Sequence, residues 1–217
     1  MLIISVLILL ITGCSQQEEE KIRYLKEEVG TILETTEKLS NRVQVLEQNN
    51  QTLLNLIDEQ VTILSESLDE KYFTLPIYHT DIETYDVRIQ YYVMIQKDLS
   101  LEEKVQTLAN KLSIYSFSGA PIELLKIETL DNGERIAIIN LVDSDIRTNT
   151  SFEKKWATNY LQGSAGGYAT TSKLTRTFLQ KNIEGEWING VKFLYNSDET
   201  NIFQHAGEFF GKIHYRD

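Results

Sequence analysis

The only cysteine of the chain, Cys14, closes an apolar run directly after the small residues Thr12 and Gly13. A lone thiol excludes an internal disulfide and every multi-cysteine metal motif. Other residues with chemical potential are sparser. Gly163-Ser164-Ala165-Gly166-Gly167 precedes a helical pattern and could offer backbone N–H groups to an anion. It lacks a following Gly-Lys-Ser/Thr and does not fit Gly-x-Gly-x-x-Gly, so a tight turn that lets the helix approach a sheet is the simpler reading. His79, His205 and His214 show no helical metal-pair spacing. Glu184, Glu186, Asp198 and Glu199 flank turns near Trp187, yet acid-base work needs two carboxylates at one place with separated pKa values. No Gly-x-Ser-x-Gly elbow is present, and the expectation is no catalytic residue, no cofactor and no metal ligand. Eleven tyrosines with Trp156 and Trp187 keep a binding surface open, because aromatic faces stack on sugars or dock peptides. At helix and strand spacing such rings are more often core.

Composition narrows the partners. With 217 residues, 41% hydrophobic and 24% charged, the chain has the make-up of a globular protein with one good core. Its net charge of -11 argues against nucleic acid, which selects a basic face, and against electrostatic attraction to anionic headgroups. The run Leu2 to Ile11 is apolar apart from Ser5, which suits the core of a secretory signal and falls short of the roughly 17 to 25 residues of a spanning helix.

Three segments follow. From Ser15 to about Lys71 there is no proline and one glycine, Gly30, among many Glu, Lys, Gln and Leu, a composition that favours one long helix. With Ile22 at position a, the a positions are Ile22, Val29, Thr36, Val43, Asn50 and Ile57, and the d positions are Leu25, Ile32, Leu39, Leu46 and Leu53. Nine of these eleven are apolar, which predicts a coiled-coil stalk over 22–71. Beyond Leu53 the apolar line moves to Ile57, Val61, Leu64 and Leu68, the sign of a stutter. β-Branched residues at a with leucine at d favour a parallel two-stranded coil, hence a homodimer or a coil with a partner; the alternative is one amphipathic helix folded back on its own domain. Fully helical, Ile22 to Glu70 would extend roughly 70 Å at about 1.5 Å per residue. Ser15 to Phe73 contains 13 acidic and 6 basic residues, net -7, which leaves -4 for Thr74 to Asp217. That acidity reads as solvation of a helix face.

Residues 72–84, with Pro76 and a polar run through Thr84, read as a hinge into a head at 85–217. Tyr85 to Ile95 alternates like a half-buried strand. Ser100 and Glu103 form a capping box ahead of Val105, Leu108 and Leu112, spaced to face a sheet. Ile122–Leu130 and Arg135–Val142 are extended runs joined through Asn132-Gly133, a hairpin signal, with the second as the core strand. Tyr168–Asn182 has helical spacing, and Val191–Tyr195 follows the Asn189-Gly190 turn as a last strand. The order β-α-β-β-α-β predicts an α+β fold, a two-layer sandwich with both helices on one face of a mainly antiparallel sheet, preceded by the long coiled-coil helix. The interruption 143–162, with Phe152, Trp156, Tyr160 and Leu161, should pack as a short helix or lid with Trp156 partly buried.

Two resemblances bear on function. Leu10-Ile11-Thr12-Gly13-Cys14 resembles the lipobox of a bacterial lipoprotein signal. It implies removal of the signal peptide 1–13, a diacylglyceryl thioether on Cys14, a lipidated linker at 14–21 and residence on the extracytoplasmic face of the cell membrane. A second acyl chain makes such anchoring stable where one holds only marginally, each buried methylene contributing about 0.8 kcal/mol. From about Leu99 to Asp198 the head resembles GerMN, the sporulation and spore germination domain. The likeness lies in Leu101 and its helix to Leu112, the Asn132-Gly133 hairpin feeding Ile136 to Leu141, the face Leu174, Thr177, Leu179 and Gln180, and Val191 leading a strand that ends at Asp198. The Gly163–Gly167 turn and the Trp187 segment depart from that pattern and suggest a divergent subgroup. This resemblance implies a non-catalytic assembly or interaction role in the cell envelope, in sporulation or germination, with an envelope protein or peptidoglycan as partner. The alternative is a lipoprotein that binds or senses wall glycan or peptide.

Overall fold

Without proline in its interior, helix α1 runs unbroken from Leu2 to Ser65. The computed structural model describes residues 2–65, 71–143, 155–200, 203, 206 and 208–216, with the side chains of α1 described from 19 to 64. The chain is α+β: after α1 come a two-stranded sheet, a four-stranded sheet and two further helices. It separates into two units, Met1–Asn50 and Gln51–Asp217. The boundary falls inside α1, because the last turns of the helix are bonded to the second unit.

That bonding has a clear origin. Glu59, 8% exposed, accepts hydrogen bonds from Met94 N at 2.7 Å, Lys111 Nζ at 2.7 Å and Tyr115 Oη at 3.2 Å. Gln60 next to it pairs its amide with both backbone groups of Tyr92, as a neighbouring strand would. Residues 72–80, expected within the hinge, form a strand: β1 (Tyr72–Thr80) pairs antiparallel with β2 (Val87–Gln96), whose Tyr92 and Met94 take the bonds from the last turns of α1. Pro76 is tolerated because it lies opposite Tyr92, whose backbone turns outward to Gln60, so no ladder bond needs the missing N–H. Asp81–Asp86 makes the turn between the strands, and Tyr85, expected to begin β2, sits in it at φ 63.

Helix α2 (Leu101–Ser116) starts at the capping box, with Ser100 Oγ accepting from Glu103 N and Glu103 accepting from Ser100 N. It buries Val105, Leu108, Ala109 and Leu112 against β2 and strand β3 (Ile122–Thr129). The Asn132-Gly133 turn, with Gly133 at φ 85, leads into strand β4 (Arg135–Leu141), buried from Ile136 to Leu141. A single π-helical turn (Trp156–Tyr160) follows and is held by Asp143, whose carboxylate accepts from Trp156 N, Ala157 N and Tyr195 Oη. Trp156 is fully buried rather than partly so, because its indole N–H finds Pro121 O at 3.0 Å. Phe152 lies outside the described residues.

Helix α3 (Ser164–Leu179) packs on β1 and on strand β5 (Gly190–Tyr195). It ends at Gln180, which adopts φ 45 and donates its buried amide to Pro76 O and Thr177 O. Gly190 opens β5 for lack of room: a Cβ there would stand 2.8 Å from Ile136 Cδ1 and 3.1 Å from His214 O. Strand β6 (Ile213–Tyr215), absent from the sequence-based order, completes the sheet β3-β4-β5-β6, in which only β4 and β5 are parallel. Among the described residues the second unit thus has two more strands than expected, and its first hairpin forms a sheet of its own.

Candidate functional site

The expected sites divide into those the fold explains away and those left facing solvent. A left-handed backbone at its first position accounts for one glycine of the run. Gly163 caps α3 at φ 73, and Cβ atoms added at Gly163 or Gly166 would meet nothing within 4 Å, so neither glycine is there for close approach to a sheet. His79 lies on β1, and burial with the nearby Lys173 and Arg88 cations holds its imidazole below the usual range. His214 lies on β6 and bonds through Nε2 to Phe209 O at 2.9 Å, while His205 lies outside the described residues. Among the described residues no group of three or more His, Cys, Asp or Glu is placed to hold a metal.

The four carboxylates near Trp187 go separate ways. Glu186 pairs with Arg135, Glu199 with Lys192 at 2.6 Å, and Asp198 accepts from Thr200 N at 2.7 Å, a bond that holds its carboxyl below the ordinary value. Glu184 is exposed in the turn after α3. Trp187 is as buried as Trp156, and its indole N–H donates to Phe178 O at 2.7 Å. Neither tryptophan can stack on an external sugar.

Two surfaces remain. The first is the apolar seam of α1. Ile22, Leu25, Val29, Ile32, Leu39, Val43, Leu46, Leu53 and Ile57 are each between 47% and 58% exposed. In the last turns of the helix, which belong to the second unit, Leu56, Glu59 and Gln60 face the rest of that unit, whereas Leu53, Ile57 and Val61 stay exposed beside them. Within the second unit, these last turns therefore dock through a different stripe from the heptad seam. Cys14 lies in α1, and its side chain is outside those described. No helix among the described residues is long and apolar enough to cross a membrane.

The second surface is a cleft of about 680 Å³ between α3 and the segment around β6, a volume within the range of ligand pockets. Leu179 and Phe209 give it an apolar floor, and Arg176, Lys181, Lys212 and Arg216 surround it with cations. Sequence reading missed it because its two sides come from residues 168–182 and 206–216, far apart in the chain, and because three-residue β6 is too short for an alternation signal. The cations themselves gave no local signal, because Glu184, Glu186, Asp198, Glu199 and Glu208 are interspersed among them in sequence.

No protein-family model matches this sequence, and no curated protein or solved structure matches it either.

Proposed function

We propose that the protein is a lipid-anchored, non-catalytic interaction protein of the bacterial cell envelope, held at the extracytoplasmic face through Cys14 and paired with a second copy, or a partner helix, along α1. The observation that carries this reading is the exposed seam. Nine large apolar side chains at heptad spacing stand half in water, a pattern that gains stability only by burial against another helix. A parallel pair would also align the two Cys14 residues at one end, where lipid on each would add to the anchoring.

The head then serves as a GerMN-like assembly module with a role in sporulation or germination. Its mixed sheet with α2 and α3 packed on the strands is compatible with the two-layer sandwich such a module has. The runner-up, a sensor of wall glycan or peptide, draws on the α3–β6 cleft rather than on the tryptophans.

Metabolic labelling with radioactive palmitate, with mass spectrometry of the mature N-terminus, tests the anchor: label on the wild type and none on Cys14→Ser is expected. An unmodified Met1 or a bare Cys14 sinks it. Sedimentation of the detergent-solubilised protein tests the pairing, and a strict monomer at high concentration removes it.

A further inference from the structure

Strand β6 ends the four-stranded sheet and pairs only with β5 among the described residues. Arg216 N donates to Asn189 O at 2.8 Å, which makes this a hydrogen-bonded pair and, by alternation, His214 with Val191 the next. The backbone groups of Ile213 and Tyr215 consequently point away from β5. This open edge borders the α3–β6 cleft, which residues 212, 214, 215 and 216 all line. Side chains of a strand alternate between its faces, so a cleft touched by consecutive residues runs along the edge.

Charge says what could lie there. The chain carries -11, yet among the described residues the cleft is lined by four cations against one carboxylate, Glu208. Glu208 is already engaged by Lys212 at 2.9 Å, and Arg216 donates to Ile183 O at 2.6 Å. Arg176 and Lys181 make no ion pair among the described residues, and both are exposed. They stand at the C-terminal end of α3 and just beyond it, on the side of the cleft opposite β6.

We infer that this cleft receives an extended acidic peptide segment of a partner protein, which adds as a strand to the open edge of β6 and sets alternate carboxylates on Arg176 and Lys181. Main-chain bonds to Ile213 and Tyr215 supply the affinity, and the cations select acidic side chains at every second position. The apolar floor at Leu179 and Phe209 accepts an aliphatic residue of the same strand. The inference rests on the head being an interaction module, and it names the partner's chemistry.

The test titrates the full-length, detergent-solubilised protein into a fluorescein-labelled peptide of alternating Val and Glu, read by anisotropy. Saturable binding is expected, with none for the Val-Lys peptide. Arg176→Glu combined with Lys181→Glu, both at exposed positions, should weaken binding at least about tenfold, or roughly 1.4 kcal/mol, with an unchanged melting temperature. N-methylation of alternate peptide bonds should abolish binding without altering charge. No binding of the Val-Glu peptide, or binding indifferent to N-methylation or to charge reversal, overturns the proposal. So does a phosphodiester glycan that binds the cleft where the peptide does not. Pairing along α1 is read separately by sedimentation, so failure of the cleft and failure of the seam are distinguishable.

Discussion

Helices α1 and α2 are both amphipathic, and they dispose of their apolar stripes in opposite ways. Val105, Leu108, Ala109 and Leu112 of α2 are wholly buried under two strands of their own unit, whereas the heptad residues of α1 stand about half exposed. Periodicity specifies which face of a helix wants burial and is silent about who supplies the cover. Inside α1 the same contrast recurs at short range. Leu56 and Glu59 pack into the rest of the second unit, and Leu53 and Ile57, on the neighbouring stripe, do not. A helix can thus be docked on its own domain and still keep a free seam.

The largest effect should come from breaking the free stripe. Leu39→Lys with Leu46→Lys removes two seam residues from each partner, and each aliphatic side chain contributes about 1.5–3 kcal/mol when buried. The dimer dissociation constant should rise by more than about a hundredfold, since every 1.4 kcal/mol is a factor of ten, while the second unit's melting temperature stays put. Equal sedimentation of variant and wild type would show that the seam holds nothing together.

The mirror experiment attacks the buried side. Trp187→Ala empties a site closed on all sides and strips Phe178 O of its indole donor. A loss of about 3–5 kcal/mol is expected, read by denaturant unfolding of the second unit. Pairing along α1 should survive. If both properties fell together, the two regions would be one cooperative structure.

Between these extremes sits Glu59, where the regions meet. Glu59→Gln keeps the shape but removes the charge facing Lys111 Nζ and turns one acceptor of three donors into an N–H₂ group. The cost should be about 1–3 kcal/mol, with hydrogen exchange accelerating in residues 52–64 and unchanged upstream. Uniform acceleration along α1 would mean that the docked turns and the seam are not independent.

Legibility in sequence tracked how local the signal was. The Ser100/Glu103 box, the Asn132-Gly133 turn and the apolar block of β4 each lie within a few residues, and each stands where expected. Strand β1 was hidden by Pro76, whose tolerance depends on its pairing position opposite Tyr92, sixteen positions later in sequence. Hiding β6 took only its brevity. The π turn depends on Asp143, thirteen residues before Trp156, and the cleft exists only once the C-terminal segment lies alongside α3. The long helix was visible because its pattern is linear.

The smallest effect separates the buried side by pH. Lys173 of α3 is pressed over the Phe117 ring at 5.8 Å, donates to Gln90 Oε1 at 3.0 Å and has no carboxylate against it among the described residues. Burial pushes its ammonium down to about 8. In the unfolded chain it keeps its ordinary value of 10.5, so between these limits the unfolded state binds more protons and folding stability rises with pH. One group changes stability by at most about 1.4 kcal/mol per pH unit, and partial exposure keeps Lys173 below that ceiling. Tyr91 and Tyr115, whose phenols burial raises to about 12, act oppositely: they favour the folded state's neutral form and withdraw stability only above pH 10. The melting temperature should therefore climb from pH 8 towards 10 and then fall. Lys173→Met should flatten the climb and raise stability at neutral pH. A climb unchanged in Lys173→Met would assign it to another group.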